Sequence, residues 1–475
     1  MTKSRVVTEK VNLIFVVAIL FGLIIRVVPD GRSLWFDELY SVVTAYKYGS
    51  FHDLWWGRLV REIHPPLYQI ILYYWVILFG DSEYVVRLPS VLAGVSLVLF
   101  VYFYGRKLLD KSQALLLTAL LAVSWGGIFY AHEARSYSLL LMLSAVLMLK
   151  SLQWMTFRSS IPVRQMLEMF ILGLLLCHTH YFGALLWFSN LIALMAFLNL
   201  SRLKVIALAF VSMLAFVPWM ILNSGYIEIE GGSWIGQLGR DEMLLWFVDL
   251  VTANIYVFWM LAALILYRLF FQFKPLLAAA SNGSFHYSVS VLFLAGLFAV
   301  LINRLYMPII TARNMIIVLP FLYMIISTWF TDAVEDEGHS RGWLFRIPPA
   351  YVSACLVLVM LGSSLFKFVS YEKEDWRGSA ASVARIRNLE RVYFIGEFEK
   401  YWHYLRRADF NKDKMTQALE ANYSAPEVGS VSVLWHCSDP VGYERLKQTL
   451  TEMRLETVDE IYFNREKSCA YTVFK

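Results

Sequence analysis

Ionisable side chains stand next to aromatic and apolar residues at several places in this sequence, and the first place is the most concentrated. The stretch DGRSLWFDELYSVV carries Asp37 and Glu38 directly after Trp35 and Phe36. A carboxylate beside an apolar wall is suited to act as a general base for a hydroxyl or an amine. The helix macrodipole also favours two acidic residues at the start of a helix. Because the pair directly follows the first apolar run, we favour the catalytic interpretation.

The motif HPPLY places His64 between a charged stretch and an apolar run. Proline is tolerated in the first turn of a helix, so Pro65 and Pro66 indicate a helix start. That explanation covers the prolines but not the histidine, and we assign His64 a functional role. Trp35 and Tyr68 belong to the same loop and can bind an isoprenoid or a sugar, but an interfacial aromatic belt also explains them.

The motif HEARSY combines His132, Glu133, Arg135 and Tyr137 within six residues. Residues four apart lie on one face of a helix, so the spacing predicts Glu133 and Tyr137 on the same face of a starting helix. A local ion pair between Glu133 and Arg135 at a helix cap is the alternative. We favour a functional role for the motif, opposite the loop that carries the acidic pair.

Further basic groups come later in the chain. Arg313 lies in MPIITARN, directly before an apolar run. Its guanidinium can present a planar fork to phosphate oxygens, or it can extend from the membrane edge towards water. The motif CHTHY holds His178 and His180 at a ligand-like spacing of two, but the two side chains alternate in direction on a helix. We favour buried histidines with satisfied hydrogen bonds, and a functional role is the alternative.

The elements that carry these side chains are apolar. The chain of 475 residues is 58% hydrophobic and 17% charged, with a mean hydropathy of +0.54. Apolar runs of roughly 17–25 residues match the thickness of a bilayer core. The sequence therefore predicts an all-α polytopic membrane protein with about eleven transmembrane helices: 11–28, 87–104, 113–129, 138–154, 166–180, 183–200, 205–222, 254–270, 286–303, 314–331 and 349–368.

The distribution of Lys and Arg predicts the orientation, because short cytoplasmic loops are enriched in both residues. With the N-terminus in the cytoplasm, most basic loops fall inside only if the apolar run 66–80 does not cross the membrane. We therefore expect a juxtamembrane helix at 66–80, within an outer loop 29–86 of a transmembrane domain spanning 1–368. The loop 331–346 is acidic although it falls inside, and acidic residues contribute little to orientation.

Residues 369–475 have a soluble composition and are predicted to form a small extracytoplasmic α/β domain. ERVYFIG and SVSVLWHC favour strands, VDEIYFNREKSCAYTVF favours two strands around a turn, and Asp439-Pro440 favours a helix start. Cys437 and Cys469 fall in this domain, and we hypothesise a disulfide between them.

Several classes are excluded. The first apolar run lacks a small-residue cleavage site, so we expect a retained helix and not a signal peptide. The net charge of +5 is spread over many loops, which argues against a nucleic-acid partner. The four cysteines show no metal-ligand spacing.

Four motifs together carry a resemblance to a known family. The acidic pair, HPPLY, RLPSVLAG at the start of the next span and HEARSYSL two spans later resemble the GT-C glycosyltransferases. The closest branch contains the protein O-mannosyltransferases and the lipid A aminoarabinose transferases. The resemblance covers about residues 10–330 and is strongest over 30–140. It implies a glycosyltransferase of the cell membrane that takes sugar from a polyprenyl-phosphate donor and transfers it outside the cytoplasm.

The resemblance also implies roles for single residues. Asp37 would be the carboxylate that activates the acceptor, with Glu38 beside it and Glu133 as the second acidic residue. His64 matches the family's HPP histidine, and Arg313 occupies the place of a lipid-phosphate-binding arginine. We add Arg135 and His64 to the groups that bind the donor phosphate, and we assign substrate or lipid binding to Trp35, Tyr68, His132, Tyr137 and Arg58. A divalent cation, Mg²⁺ or Mn²⁺, held by Asp37 and Glu133 is left open.

Two other functions stay open beside the enzyme. A lipid flippase or transporter would place charged groups near mid-membrane in broken helices and repeat its two halves. A non-enzymatic lipid-binding scaffold would use the outer domain to recruit partners. The acceptor, whether glycan, lipid or protein, the sugar and the oligomeric state do not follow from the sequence.

Overall fold

The protein is mainly helical, with a five-stranded sheet near its C-terminus. The computed structural model describes residues 3–62, 64–157, 161–198, 202–230, 240–271, 282–306, 308–331, 349–373, 375–385, 389–394, 398–408, 415–417, 430–434, 448, 457–463 and 469–474. The chain divides into two units. The first contains residues 1–29, 50–71 and 87–370, and the second contains 30–49, 72–86 and 371–475.

The helices before residue 200 are α1 Lys3–Val27, α2 Phe36–Lys47, α3 Phe51–Gly57, α4 Leu67–Phe79, α5 Glu83–Gly105, α6 Lys111–Val123, α7 Trp125–Phe129, α8 Tyr137–Met155, α9 Val163–Thr179 and α10 Tyr181–Phe197. Those after it are α11 Arg202–Glu230, α12 Arg240–Thr252, α13 Ile255–Phe271, α14 Gly283–Leu305, α15 Leu319–Thr331, α16 Pro349–Ser370, α17 Trp376–Ala384 and α18 Phe398–Leu405. Short 3₁₀ turns occupy Leu59–Arg61, Tyr130–His132, Arg313–Val318 and Arg406–Ala408.

Each of the eleven predicted spans contains a helix, and the predicted class of polytopic helical membrane protein is confirmed. By length and hydropathy, seven helices in the described ranges can cross a membrane, or eight if one bent pair is a single span. The helix Leu67–Phe79 has 13 residues and falls among the shorter apolar helices. A helix is thus present where 66–80 was predicted, while the count of eleven crossings stays a prediction.

The predicted span 113–129 is broken in the structure. Helix α6 ends at Val123, α7 begins at Trp125, and the two segments meet at an angle of 60°. Ser124 at the break accepts a hydrogen bond from the backbone N–H of Gly127 at 3.3 Å and so caps α7. The hydropathy profile did not reveal the break, because the residues on both sides of Ser124 are equally apolar.

The carbonyl groups that the break exposes are bound by side chains from other helices. Arg26 of α1 is fully buried, and its guanidinium donates to the carbonyls of Leu121 and Ala122. The hydroxyl of Ser364 donates to the carbonyl of Val123 at 2.7 Å. The last carbonyls of any helix lack partners within that helix. Arg26 and Ser364 therefore supply in the apolar interior the hydrogen bonds that water supplies elsewhere.

Two glycines make room for this arrangement. A Cβ added at Gly22 would lie 2.5 Å from the carbonyl oxygen of Ala122, so α1 and α6 approach each other too closely for any larger residue. A Cβ at Gly127 would lie 2.7 Å from Nη2 of Arg26. Both glycines leave the space that the Arg26 guanidinium and the end of α6 occupy.

The second unit contains the sheet, formed by β1 Leu389–Phe394, β2 Met415–Gln417, β3 Ser430–Leu434, β4 Thr457–Phe463 and β5 Cys469–Phe474. The strand order is β2-β1-β3-β5-β4. Strand β1 runs parallel to β2 and β3, whereas β5 pairs antiparallel with β3 and β4. The predicted α/β character is present, although β2, with only three residues, was not predicted.

The second unit also differs in extent from the predicted domain. Its last segment begins at Tyr371, close to the predicted boundary at 369, but 30–49 and 72–86 of the predicted outer loop belong to the same unit. The predicted helix at 439–453 lies outside the described residues except for Gln448. Cys437 and the side chain of Cys469 lie outside them too, so the disulfide stays a hypothesis.

Candidate active site

Three side chains of the first unit, His64, Arg135 and His180, lie against one another, and Arg313 is near enough for its charge to act on them; we call the four the cation–histidine cluster. Nη2 of Arg135 lies 3.2 Å from Nε2 of His64, and the ring centroids of His64 and His180 are 5.3 Å apart. The charge of Arg313 acts on both imidazoles. A guanidinium can only donate hydrogen bonds, so Nε2 of His64 accepts and its ring is neutral.

Both imidazoles of the cluster are held in the neutral form. Burial lowers the pKa of His64 well below its ordinary value, and the positive charge of Arg135 acts in the same direction. Nδ1 of His180 accepts a hydrogen bond from the backbone N–H of Phe182, so this ring is neutral as well. At neutral pH the positive charge of the cluster therefore resides on its two guanidinium groups, with the imidazoles as neutral polar partners.

A hydrogen-bonded chain holds Arg135 in place. Its carbonyl accepts from the hydroxyl of Ser90 at 3.1 Å, and the hydroxyl of Tyr68 lies 2.8 Å from the same Ser90 oxygen. Ser138 donates to the carbonyl of Ser90 at 2.7 Å. Tyr68 is buried and takes part in this chain, so the structure gives it a supporting contact behind the cluster.

The predicted helix face with Glu133 and Tyr137 is wrong, because Glu133 is extended. The 3₁₀ turn ends at His132, Glu133 has φ −127° and ψ 134°, and α8 begins only at Tyr137. The backbone N–H of Arg135 donates to the carbonyl of Glu133 at 2.8 Å and closes a turn between the two helical segments. Glu133 is nonetheless 1% exposed, so a carboxyl group is buried in the first unit.

His132 and Tyr137 are both buried. Nε2 of His132 lies 2.9 Å from the carbonyl oxygen of Ile25, and its ring packs against Phe368. This contact ties the HEARSY motif to the end of α1 and gives His132 a structural role. Tyr137 lies with its ring centroid 5.7 Å from that of His180, directly beside the cluster.

The loop before His64 is fixed by an asparagine from α11. Nδ2 of Asn223 donates to the carbonyls of Val60 and Glu62 at 3.0 and 2.6 Å, and Oδ1 accepts from the hydroxyl of Tyr181. Nε of Arg58 lies 3.5 Å from the Glu62 carboxylate. The structure thus places Arg58 in an ion pair of this loop.

In the second unit, the acidic pair begins α2 and its two members differ. Glu38 is fully buried, accepts from the backbone N–H of Trp35 at 3.3 Å and lies 3.2 Å from Nζ of Lys373. It therefore caps its helix and completes a buried ion pair. Asp37 stands on the other side of the same turn, and its side chain is partly exposed.

Further ion pairs of the second unit involve residues that follow α4. The carboxylate of Asp81 pairs with Arg406 and with Arg407, and Glu83 pairs with Arg377 at 2.5 Å. The hydroxyl of Tyr404 donates to Glu83 at 2.7 Å. These contacts join 72–86 to 371–408 within one unit, which explains why the second unit draws on the predicted outer loop.

A metal site was left open for Asp37 and Glu133. Within the described ranges no group of three or more His, Cys, Asp or Glu side chains is arranged to hold a metal ion. The described residues thus do not provide a ligand set for a metal, and we derive no step through one.

Sequence reasoning missed three residues that the structure brings forward. His180 joins the cluster although satisfied hydrogen bonds were expected for it. Arg26 sits in an apolar run, where a single charge is itself a signal for a buried role. Lys373 pairs with Glu38 over more than 300 positions of sequence, and no local pattern indicates that contact.

The comparisons with known proteins agree with the resemblance predicted from the motifs. Residues 63–222, about a third of the chain, match the family model described as dolichyl-phosphate-mannose-protein mannosyltransferase. The matched stretch contains His64, Glu133, Arg135 and His180, whereas Asp37 and Arg313 lie outside it. No curated protein sequence matches the chain.

Solved structures share the fold at low sequence identity. The chain is similar to ArnT from Cupriavidus metallidurans in the apo state, with a TM-score of 0.59, 13% identity and 98% of each chain covered. ArnT bound to undecaprenyl phosphate gives a TM-score of 0.54 at 14% identity, again with 98% of each chain covered. The Archaeoglobus fulgidus oligosaccharyltransferase in complex with Zn and sulfate gives 0.51 at 13% identity, covering 96% of this chain and 72% of that chain. The predicted GT-C-like membrane fold is confirmed.

Proposed function

We propose that the protein is an integral-membrane glycosyltransferase that moves a sugar from a polyprenyl-phosphate donor to an acceptor outside the cytoplasm. The observation that carries the proposal is the cation–histidine cluster, three of whose four members lie within the stretch 63–222 that matches a glycosyltransferase family. Guanidinium groups with neutral donors beside them are suited to bind a phosphate. One of the ArnT structures to which the chain is similar is bound to undecaprenyl phosphate.

In the proposed reaction Asp37 takes the proton from the acceptor nucleophile. The nucleophile attacks the anomeric carbon of the donor sugar, the bond between that carbon and the phosphate oxygen breaks, and polyprenyl phosphate leaves with the bonding electrons. Arg135 and Arg313 stabilise the charge that builds up on the leaving phosphate. Glu133 serves as the second acidic group. Glu38 supports Asp37 through the ion pair with Lys373 that fixes the first turn of α2.

The proposed orientation follows the distribution of basic residues. The N-terminus is cytoplasmic, and the C-terminal sheet is extracytoplasmic. A cysteine introduced at position 109, beside Arg106, Lys107 and Lys111, should be labelled from the cytoplasm. A cysteine at position 83 should be labelled from outside. Labelling of position 83 from the cytoplasm would make 66–80 a membrane crossing and reverse the orientation of all later loops.

The experiment that tests the function is a transfer assay on the purified full chain. Incubation with a polyprenyl-phosphate sugar should release free polyprenyl phosphate, and release should increase when an acceptor extract of the cell envelope is added. A flippase would move the donor across a vesicle membrane without releasing polyprenyl phosphate, and a scaffold would bind it without either change. Repeating the assay with a chelator determines whether a divalent cation takes part.

A further inference from the structure

The cation–histidine cluster contains a hydrogen-bond donor that neither the motifs nor the proposed reaction uses. His180 lies between α9 and α10, and its side chain is 3% exposed. Its Nδ1 accepts a hydrogen bond from the backbone N–H of Phe182 at 3.1 Å. In a neutral imidazole one nitrogen accepts and the other carries the proton. The bond from Phe182 therefore places the proton of His180 on Nε2.

Nothing in the described part of the chain accepts a hydrogen bond from this Nε2–H group, although the nitrogen is buried. Buried polar groups are almost always paired, and leaving one unpaired costs about 1–3 kcal/mol. Because Nδ1 is held against the start of α10, Nε2 lies on the edge of the ring that is turned away from that helix. The ring of His64 packs at 5.3 Å and that of Tyr137 at 5.7 Å.

The surroundings select the kind of group that can accept this bond. His64 already receives a donor from Arg135, and the charges of Arg135 and Arg313 act on His180. Beside two guanidinium groups, an anionic acceptor with several lone pairs binds better than a neutral one. A phosphate oxygen meets this description better than a hydroxyl or an amide does. His180 is neutral there, since its Nδ1 accepts the backbone N–H of Phe182.

We propose that Nε2–H of His180 donates a hydrogen bond to an oxygen of the donor lipid phosphate, so that His180 is a phosphate-binding residue. The inference rests on the proposed function, since it assigns a further contact to the donor of that reaction. Under this proposal the two ring nitrogens of His180 have different roles. Nδ1 caps α10 and fixes the tautomer, and Nε2 then presents its proton to the ligand.

Two substitutions separate these roles. The side-chain oxygen of Asn reaches the position of Nδ1, and Asn is a favoured N-cap residue, so His180→Asn keeps the cap and removes the donor. The amide of Gln reaches the position of Nε2, so His180→Gln keeps a donor and loses the cap. His178→Asn is the matched control. That residue lies two positions earlier and bonds to the carbonyl of Leu174 outside the cluster.

The measurement is direct binding of a C55 polyprenyl phosphate to the full chain in nanodiscs, with the C55 polyprenol as the ligand that lacks the phosphate. His180→Asn should keep the melting temperature and raise the dissociation constant for the phosphate about tenfold, without changing that for the polyprenol. His180→Gln should melt at a lower temperature but bind the phosphate within about threefold of the unaltered chain. His178→Asn should leave both constants unchanged.

A well-folded His180→Asn variant with unaltered phosphate affinity would overturn the inference, and so would an equal loss of affinity for the polyprenol. If His180→Asn does not fold, the inference is tested by NMR on the unaltered chain, by following the proton on Nε2 of ¹⁵N-labelled His180. Its resonance should move downfield when the phosphate is added, and an unmoved resonance rejects the contact. If the unaltered chain neither binds polyprenyl phosphate nor releases it from a donor, the proposed function fails and the inference fails with it. If the unaltered chain binds polyprenyl phosphate but the His180 variants bind it equally well, only the inference about His180 fails.

Discussion

The cation–histidine cluster of the first unit and the ion pairs of the second unit use their charged side chains in different ways. In the second unit, carboxylates lie directly against cations: Glu38 is 3.2 Å from Lys373, and Glu83 is 2.5 Å from Arg377. In the cluster of the first unit, one contact of the Arg135 guanidinium is with the imidazole of His64. Opposite charges in contact neutralise each other and hold chain segments together. A contact with a neutral ring does not compensate the charge of a cation at that contact, and a cation is suited to bind an anion.

The comparison separates stability from function at residues that look alike in the sequence. An ion pair that is fully buried contributes little net stability, but removing one partner is costly because it leaves an uncompensated charge. Substitution of a residue in an ion pair of the second unit should therefore lower the free energy of unfolding. A residue of the cluster, or the proposed base, should affect donor binding or turnover while the fold stays intact. The following variants test that division, beginning with the largest effect.

Asp37→Asn should reduce turnover at least a hundredfold while leaving the fold and donor binding intact. The substitution keeps the shape of the side chain and removes the charge that accepts the proton, and general-base catalysis typically contributes about a hundred- to ten-thousandfold. The measurement is sugar transfer by the purified variant, with the melting temperature as the control for folding. Near-normal transfer by a well-folded Asp37→Asn variant would remove Asp37 as the base.

Glu38→Gln is the matched variant at a residue whose expected role is in stability. It leaves Lys373 buried without its carboxylate, and we expect a loss of about 3–5 kcal/mol in stability. Molecules that remain folded should lose much less turnover than Asp37→Asn, and Glu133→Gln should fall between the two. The double variant Glu38→Gln/Lys373→Met should recover most of the stability. A double variant as unstable as the single one would show that the ion pair is not what Glu38 contributes.

Arg313→Ala should raise the Michaelis constant for the donor by roughly ten- to a hundredfold, because a hydrogen bond to a charged group is worth about 1.5–3 kcal/mol. Arg313→Lys should recover only part of the affinity, since an ammonium keeps the charge but lacks the bidentate fork. The Michaelis constant for the acceptor should change little. An unchanged donor constant for Arg313→Ala would place the cluster's phosphate contacts elsewhere.

Apolar runs predicted the helices of the first unit well, because a membrane helix requires a long apolar stretch with few exceptions. The break at Ser124 and the extended backbone of Glu133 were not predictable. At the break, the free carbonyls are bound by the distant side chains of Arg26 and Ser364. In the turn after Glu133, the carbonyl of Arg135 is bound by the distant Ser90. The cluster was partly predictable, since His64, Arg135 and Arg313 are exceptional charges in an apolar chain.

The pairing of the second unit could not be inferred from the sequence. Glu38 and Asp37 are adjacent and chemically similar, yet in the structure Glu38 is buried, caps α2 and pairs with Lys373. Likewise, no local pattern groups 72–86 with 371–475, because that grouping depends on pairs such as Asp81 with Arg407. Alternation and hydropathy describe a segment's own structure but not its long-range partners.

Arg26 is a charged group of the first unit whose role is structural. Arg26→Leu removes the donor that the carbonyl of Ala122 receives from Arg26 and leaves the carbonyl of Leu121 with the Ser124 hydroxyl, and an unpaired buried group costs about 1–3 kcal/mol. We expect a lower melting temperature and reduced turnover, because α7 leads into the turn that carries Arg135. Ser364→Ala, which removes one donor from the same break, should show a smaller effect. An Arg26→Leu variant with an unaltered melting temperature would show that the break needs no cap.

The smallest predicted effect concerns His403, a neutral histidine in the ion-pair region of the second unit. It is fully buried, stacks on Tyr46 at 5.8 Å between ring centroids and lies with Nδ1 3.8 Å from Asp81. Burial lowers the pKa of His403 to about 3, with Arg407 acting in the same direction and Asp81 opposing. An unfolded chain binds a proton here below pH 6.5 and the folded chain does not, so stability falls as the pH falls from 6.5 towards 3.

The expected slope is about 1.4 kcal/mol per pH unit in that window, the value for one proton. His403→Gln has no group to titrate and should lose this slope, although it should be less stable at pH 7 because an amide replaces a packed ring. Hydrogen exchange of the helix Phe398–Leu405, measured at pH 7.5, 6.5 and 5.5 and corrected for the intrinsic rate, reports the local stability. An unaltered slope in His403→Gln would mean that His403 is not held neutral. The second unit would then contain a protonated histidine next to Asp81. His403 would be one more cation paired with a carboxylate, like the other ion pairs of this unit.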